Sequence, residues 1–465
     1  MGFTVLKFSI GKVFIIAALI GAALFYVRFI SIDFVLGTNT FSHPYKSFVV
    51  ALLVSGLAWI CLIPIFKRPK LSMGKHLWTL VFLGVIFRAL FLGSTPIYED
   101  DWNRYLWDGA VTAQGINPYE YPPEAIFTDN IEVSEELKSL QALSAENDNF
   151  VGRINYPQLT TIYPPAAMGV FTLAAFIKPF SLDVLRGIYL LIELIALWLL
   201  FKALKAYGRD PHWALLYWLN PMLIYSVYNA GHMDVILVPF LVGALYLVKR
   251  RPLWASFVLG LAAAVKIWPL ILGPILLRNH RMSFSLYIGG GIIMGLAALL
   301  LLSPMLLSLG ENSGLQAYAG GWQRSSFLFG YIEAGLGLVV DNAAMLARIS
   351  VAGGLTLLTF WLTFKKGDDD KVLPANLMII PLCLFLISPT GYPWYILWFL
   401  PFLPFLPLYG AALLTVAVSI YYVRYAMGER DIYDLYNAYL IPLQFGLPIA
   451  ILLWEMYVFR KRSEA

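Results

Sequence analysis

The sequence predicts an all-α, polytopic membrane protein, and three observations carry that expectation. Of 465 residues, 60% are hydrophobic and only 13% are charged, about half the charge share of a water-soluble chain of this length. Apolar runs of roughly 20 residues recur from end to end, the length at which a helix crosses a bilayer with its backbone groups satisfied internally. Lysine and arginine gather in short segments between the runs, as they do in cytoplasmic loops.

Taken in order, the first run (residues 11–30) has no small-residue cleavage site after it and is followed by many more, so it reads as a retained helix rather than a signal peptide. The candidate inside loops are "KRPKLSMGK" (67–75), "KALKAYGR" (202–209), "VKRR" (248–251), "RNHR" (278–281), "KKGDDDK" (365–371) and "RKR" (460–462). This arrangement puts the segment after Gly93 outside and both termini in the cytoplasm, with roughly 12 to 14 transmembrane or part-spanning helices. Two stretches are too short for a simple crossing. "YPPAAMGVFTLAAFIKPF" (163–180) reads as a helix that enters the membrane without crossing it. "LGLAAAVKIWPLILGP" (259–274) reads as a broken pair with Lys266 and Pro269 at its apex. Irregular backbone at membrane depth is tolerated where it lines a cavity, so both point to a site. Cys61 and Cys383 lie within apolar runs and read as packing residues. The net charge of +5 reflects cytoplasmic loops rather than a nucleic-acid partner. No internal repeat or separate soluble domain is visible, and residues 1–465 read as one transmembrane domain. A large outer loop spans residues 96–163, a second spans 306–326, and a short third spans 388–395.

The first outer loop opens with "IYEDDWNRYLWDGAVTAQGINPY" (97–119), a carboxylate cluster in a chain that is otherwise close to oil. A helix starting near Glu99 places Asp101, Arg104, Tyr105 and Asp108 on one face. An ordinary helix start accounts for one acid or two, as cap and dipole partners worth about 1 kcal/mol. It does not account for an arginine, a tyrosine and a further acid on the same face. Other polar groups sit where they are costly. Arg88 lies in the third span, where it either snorkels to the interface or faces a cavity. Asn229, His232 and Asp234 crowd a short turn in "YNAGHMD" (228–234). Lys266 interrupts "AAAVKIWP", and an intramembrane lysine is a functional candidate by default. Arg324 in "GGWQRSS" reads equally as an interfacial arginine. Glu193 is buried in a span and is a structural partner for a cation.

In chain order the acidic pair with "RYLWDG", "GINPY", "TIYPP", "LNP" with "AGHMD", "GLAAAVKIWP" and "SPTGYPWY" resemble the GT-C superfamily of integral-membrane glycosyltransferases. The likeness is closest to bacterial polyprenol-phosphate-mannose-dependent mannosyltransferases and weaker to the catalytic subunit of GPI mannosyltransferase I. The eukaryotic relatives carry Asp-x-Asp where this chain has "EDD". Counting back from Gly115, Asp101 falls on the family's catalytic aspartate and Glu99 on the first aspartate of that pattern, so the base is one of Glu99, Asp100 and Asp101, with Asp101 favoured.

The resemblance implies an inverting transfer of a sugar, mannose by likeness, from a polyprenyl-phosphate donor to an acceptor hydroxyl at the outer membrane face; no cofactor is expected, and no bound metal, because the fixed cations Arg88, Lys266 and Arg324 can do its electrostatic work. That chemistry needs one positioned general base. The phosphate leaving group needs cations rather than a proton donor, whereas a glycoside hydrolase needs two carboxylates at a defined separation. Arg88, Lys266, Arg324 and His232 are the candidates around the phosphate. Substrate contacts are expected from Arg104, Tyr105, Asp108, Tyr119, Tyr163 and Asp234. The partners are the lipid-linked donor, a glycan or lipid acceptor and membrane lipids, and the membrane implied is the bacterial inner membrane. The rival classes are a multi-span transporter, which also places charges in broken helices, and a lipid flippase. Against a transporter stand the missing repeat and the clustering of polar groups toward one face.

Overall fold

The computed structural model describes residues 2–464 apart from 33, 36–43, 69–70, 72, 129–133, 279–282, 311, 366–368, 429 and 431. Parts of three expected inside loops, 67–75, 278–281 and 365–371, lie outside the described residues. Among those described every regular element is helical, and the one β-type pairing is an isolated bridge between Arg324 and Thr390.

Among the described residues, eight helices are long and apolar enough to cross a membrane: Ile10–Ile30, Tyr45–Phe66, Leu182–Ala206, Phe284–Leu307, Ala343–Phe364, Asp370–Ile387, Tyr409–Gly428 and Tyr433–Val458. The chain is an integral membrane protein. Four shorter apolar helices, His76–Ala89, Pro165–Ile177, Pro252–Ala263 and Trp268–Leu277, accompany them. A broken pair, Pro221–Asn229 and Met233–Val248, is one more candidate crossing. Eight spans, four short helices and one pair make thirteen, within the expected range. Both irregular stretches form helices shorter than the eight. Pro165–Ile177 has 13 residues, about 20 Å of helix against a hydrocarbon core of about 30 Å. The second breaks after Ala263 and resumes at Trp268, with Lys266 in the gap and Pro269 inside the resumed helix rather than at the apex.

The chain forms two compact units, each assembled from discontinuous segments. The first comprises residues 1–98, 196–229 and 323–465. Its core holds large side chains whose polar ends are satisfied by backbone: the Trp59 indole donates to Leu216 O and the Trp218 indole to Val81 O. Asn229 pins the segment leading to the acidic cluster, accepting from Ile97 N and donating to Ser94 Oγ and Thr95 O.

The second unit comprises residues 99–195 and 230–322. Its scaffold is the contact of Asp101–Ala113 with Pro165–Ile177. A Cβ on Gly109 would stand 2.5 Å from Phe171 O, so only glycine lets the backbones approach this closely. Tyr105 stacks on Phe171 with ring centroids 4.7 Å apart. Within the first outer loop, residues Glu135–Ala145 form a short helix capped by Ser134, whose side chain accepts from Leu137 N. The two outer loops dock through Thr160 N donating to Asn312 O and through Gly314, where a Cβ would meet Thr160 O at 2.3 Å.

Candidate active site

The acidic helix begins at Asp101, two residues beyond Glu99, and its cap residue is Asp100. The Asp100 carboxylate makes no capping hydrogen bond. It accepts instead from Asn155 Nδ2 at 2.8 Å, and the same amide group donates to Asp101 Oδ1 at 3.1 Å. Helix capping therefore does not account for these acids. One neutral donor from the far end of the outer loop clamps two adjacent carboxylates. Asn155 precedes Tyr156, whose φ of +48° lies in the left-handed region, and the Tyr156 ring packs edge-on against Trp322. Such strain persists where the surroundings over-determine the backbone, and here it fixes the residue beside the clamp.

Asp101 Oδ2 lies 3.8 Å from His232 Nδ1, and Glu99 Oε2 lies 3.5 Å from His232 Nε2. His232 and Glu99 are buried, whereas the Asp101 side chain is 26% exposed. His232 follows Gly231, whose φ is +81° and where a Cβ would come within 3.1 Å of Trp102 Cβ. Asp234, two residues on, binds Lys266 Nζ at 2.7 Å, with Asp234 buried and Lys266 19% exposed. Lys266 is held in its break by Ala166 N, which donates to Ala264 O and so joins the start of Pro165–Ile177 to the gap. Asp234 is thus a partner of Lys266.

The electrostatics suit proton transfer. Burial, then the adjacent charge of Asp100, pushes the Asp101 carboxyl up to about 6, against the Asn155 hydrogen bond and the attraction of Lys266. Burial also raises Asp100, with Asn155 opposing. An exposed carboxylate near 6 is mostly ionised at neutral pH and more basic than an ordinary aspartate, as a general base requires.

The remaining expected residues divide. Arg104 and Asp108 form a buried pair, Nε to Oδ1 2.9 Å, and Arg104 also donates to Leu159 O at 2.9 Å. These contacts hold the helix to its loop. Tyr119 donates to Tyr163 O at 2.8 Å, and the Tyr163 ring packs edge-on to Tyr105. Glu99, Asp100, Asp101, His232, Asp234 and Lys266 converge in the second unit, with the Arg104, Tyr105, Asp108, Tyr119 and Tyr163 group along the same helix. Arg88 and Arg324 belong to the first unit. Arg88 does not snorkel: it is 1% exposed, lies 3.5 Å over the Trp218 ring and donates to Gly84 O and Trp218 O. Among the described residues no group of three His, Cys, Asp or Glu side chains stands at metal-ligating spacing. Sequence reasoning missed Asn155, because a lone asparagine in "GRINYPQ" carries no signal of a partner more than fifty residues away.

Residues 9–279 match the family described as Alpha-(1->6)-mannopyranosyltransferase, N-terminal domain. The chain belongs to this family. The matched span includes the acidic helix, Asn155, His232, Asp234 and Lys266. The chain is 25% identical over 396 residues to Alpha-(1->6)-mannopyranosyltransferase B of Corynebacterium glutamicum, covering 74% of this chain and 62% of that relative. It therefore spans less than two thirds of that relative's length. A shorter match, 35% identity over 94 residues, is to GPI mannosyltransferase 1 of Aspergillus fumigatus, covering 19% of this chain and 22% of that relative. No solved structure matches.

Proposed function

We propose that this protein is an inverting mannosyltransferase that moves mannose from a polyprenyl-phosphate donor to an acceptor hydroxyl, forming an α-(1→6) bond at the outer face of a bacterial inner membrane, with both termini cytoplasmic. The observation that carries the reading is the Asp101 carboxylate: partly exposed, clamped by Asn155, raised to about 6 and accompanied by the Lys266–Asp234 pair. Family membership supports mannose as the sugar.

In the proposed step Asp101 takes the proton of the acceptor hydroxyl as its oxygen attacks the anomeric carbon. The new glycosidic C–O bond forms as the C–O bond to phosphate breaks. The electron pair leaves with the polyprenyl phosphate, which needs no proton. Lys266, one-fifth exposed and anchored by Asp234, is the cation of this unit that stabilises the charge building on that phosphate. His232 and Glu99 support the base from behind. Residues 1–465 act as one catalytic domain in this reading.

The test is incubation of the purified protein with radiolabelled polyprenyl-phosphate mannose and a total lipid extract of its own cell. Transfer of label to an acceptor that alkaline phosphatase leaves intact and α-1,6-mannosidase digests is the expected result. Absence of transfer from any polyprenyl-phosphate sugar overturns the reading.

A further inference from the structure

The second unit carries three aromatic rings that the proposed chemistry does not use. Tyr156, which follows the clamp residue Asn155, packs edge-on against Trp322 with ring centroids 4.5 Å apart. Tyr318 lies 5.8 Å from the same indole. Tyr156 is 41% exposed, and Tyr318 and Trp322 are half-buried.

The frame beneath these rings is fixed to the acidic helix. The stretch 155–160 is held at three points. Asn155 Nδ2 donates to Asp100 and Asp101, Leu159 O accepts from Arg104 Nη2, and Thr160 N donates to Asn312 O. Tyr156 stands between the first two, with the φ of +48° that a bulky residue keeps only when its surroundings impose it. In the second outer loop, helix Gly314–Gly321 begins at its Ser313 cap, which accepts from Gln316 N. It begins hard against the first loop, since a Cβ on Gly314 would stand 2.3 Å from Thr160 O and 2.5 Å from Ile162 Cγ2. Trp322 ends this helix, one turn beyond Tyr318. An aromatic belt is made of rings that each meet the lipid interface. It requires neither a strained backbone nor a cluster tied to carboxylates.

The chemistry of the rings says what they take. A pyranose presents C–H groups on its faces and hydroxyls around its rim. Tyrosine and tryptophan match it with a flat apolar body and a polar tip, and they lose little rotamer freedom on binding. About 3.8 Å of backbone separates the Cα atoms of Asn155 and Tyr156, so the rings neighbour the proposed base. We infer that Tyr156, Tyr318 and Trp322 form a stacking platform that holds the sugar unit next to the one receiving mannose. The acceptor is then a saccharide of two or more units, and the platform selects it by length. Binding energy from the neighbouring unit places the reacting hydroxyl at Asp101. Naming the bound saccharide as the acceptor rests on the mannosyltransferase reading; saccharide binding by the three rings does not.

The experiment pairs two readouts on the detergent-solubilised full chain. Saturation-transfer NMR measures binding of methyl α-mannoside and of the methyl glycosides of α-1,6-linked mannobiose and mannotriose. Transfer from polyprenyl-phosphate mannose gives KM for the same acceptors. The wild type is expected to bind and use the mannobioside about tenfold better than the monosaccharide, the scale of one good aromatic contact. Trp322→Ala and Tyr156→Gly should each cut that preference to about threefold or less, and Trp322→Phe should keep most of it. Glycine adopts the left-handed φ of position 156 without strain, so Tyr156→Gly removes the ring and keeps the turn. The acid limb of kcat/KM should stay near pH 6 in both ring-removing variants, because Asn155 is untouched. A limb displaced by a full unit would show the rings acting only through the clamp and overturns the platform. Ring-dependent saccharide binding in a protein that transfers no mannose leaves this inference standing and removes the enzymatic reading. A wild type that holds the monosaccharide as tightly as the longer glycosides overturns the inference, as does an unchanged preference in the folded Trp322→Ala variant.

Discussion

Asn155→Leu tests the base and its clamp together. The substitution keeps the size of the side chain and removes the one amide that donates to both Asp100 and Asp101. A hydrogen bond to a charged group contributes about 1.5–3 kcal/mol. Asp101 is one-quarter exposed and shares the donor, so the low end applies. About 1.4 kcal/mol corresponds to one pKa unit, which carries the Asp101 carboxyl from about 6 to roughly 7. The sign follows from the charged form losing its donor, so ionisation is delayed to higher pH. At pH 6 the ionised fraction falls from about one half to about one tenth, near a fivefold loss, and at pH 8.5 the loss is nearly gone. The assay is kcat/KM against pH with polyprenyl-phosphate mannose as donor. The acid limb should move up by about one unit, and alkaline pH should restore the rate. A loss by the same factor at every pH would show that Asn155 only shapes the loop, and an unmoved limb would remove Asp101 as the titrating base.

Asp100→Asn should move the same limb the other way, below about 6, because the Asp100 charge raises Asp101; an upward shift in the pH–rate profile refutes this. Asp101→Asn should reduce transfer at least ~100-fold while the protein melts higher above pH 6. The carboxyl is raised from an unfolded value near 3.9 to about 6, so its contribution to stability is fully present below ~4 and is lost as pH rises through 6, up to about 3 kcal/mol in all; equal melting curves at pH 5 and pH 8 relative to wild type would contradict it. Lys266→Met strands the buried Asp234 carboxylate and should destabilise the protein by about 3 kcal/mol, the low end for breaking a buried pair because Lys266 is partly exposed; adding Asp234→Leu should restore the melting temperature without restoring transfer, and recovery of both would make the pair purely structural. Transfer should survive excess EDTA, since the Asp234 carboxylate is already bound to Lys266 and Asn155 ties Asp100 to Asp101; a loss reversed by added Mn²⁺ would show these acids ligating metal.

The fold was legible where physics acts over short sequence distances. Apolar runs of membrane length, the shortness of 163–180 and a helix break at Lys266 each follow from local sequence and each appears, although Pro269 stands in the helix after the break rather than at its apex. The site was legible through its costs: carboxylates beside a span and a lysine among alanines are expensive enough to be noticed one at a time. Pairings were not legible. Lys266 and Asp234 are separated by more than thirty residues, and Asn155 and Asp101 by more than fifty, so nothing local marks them. The partners of Arg88 were likewise not legible: an indole face and two carbonyls meet it, which no sequence pattern announces.

The identity of the clamp decides what kind of acid Asp101 is. Two adjacent carboxylates facing one donor repel, and a buried site disfavours charge on both. A lysine or arginine in place of Asn155 would relieve that repulsion fully and pull Asp101 toward ordinary aspartate values, where a carboxylate is a poor proton acceptor. A leucine would leave both carboxylates unsupported and Asp101 about half protonated at neutral pH. The neutral amide lies between these outcomes. It orients both oxygens, lowers both groups, and leaves Asp101 raised by burial and by Asp100 to about 6. Lys266 could overcorrect this balance, but Asp234 binds it at 2.7 Å and also pushes Asp101 upward. Asp100, Asn155 and Asp234 thus set the proton affinity of a group they need never replace. Activity should accordingly depend on all three, through the position of the acid limb for Asn155 and Asp100 and through Lys266 for Asp234.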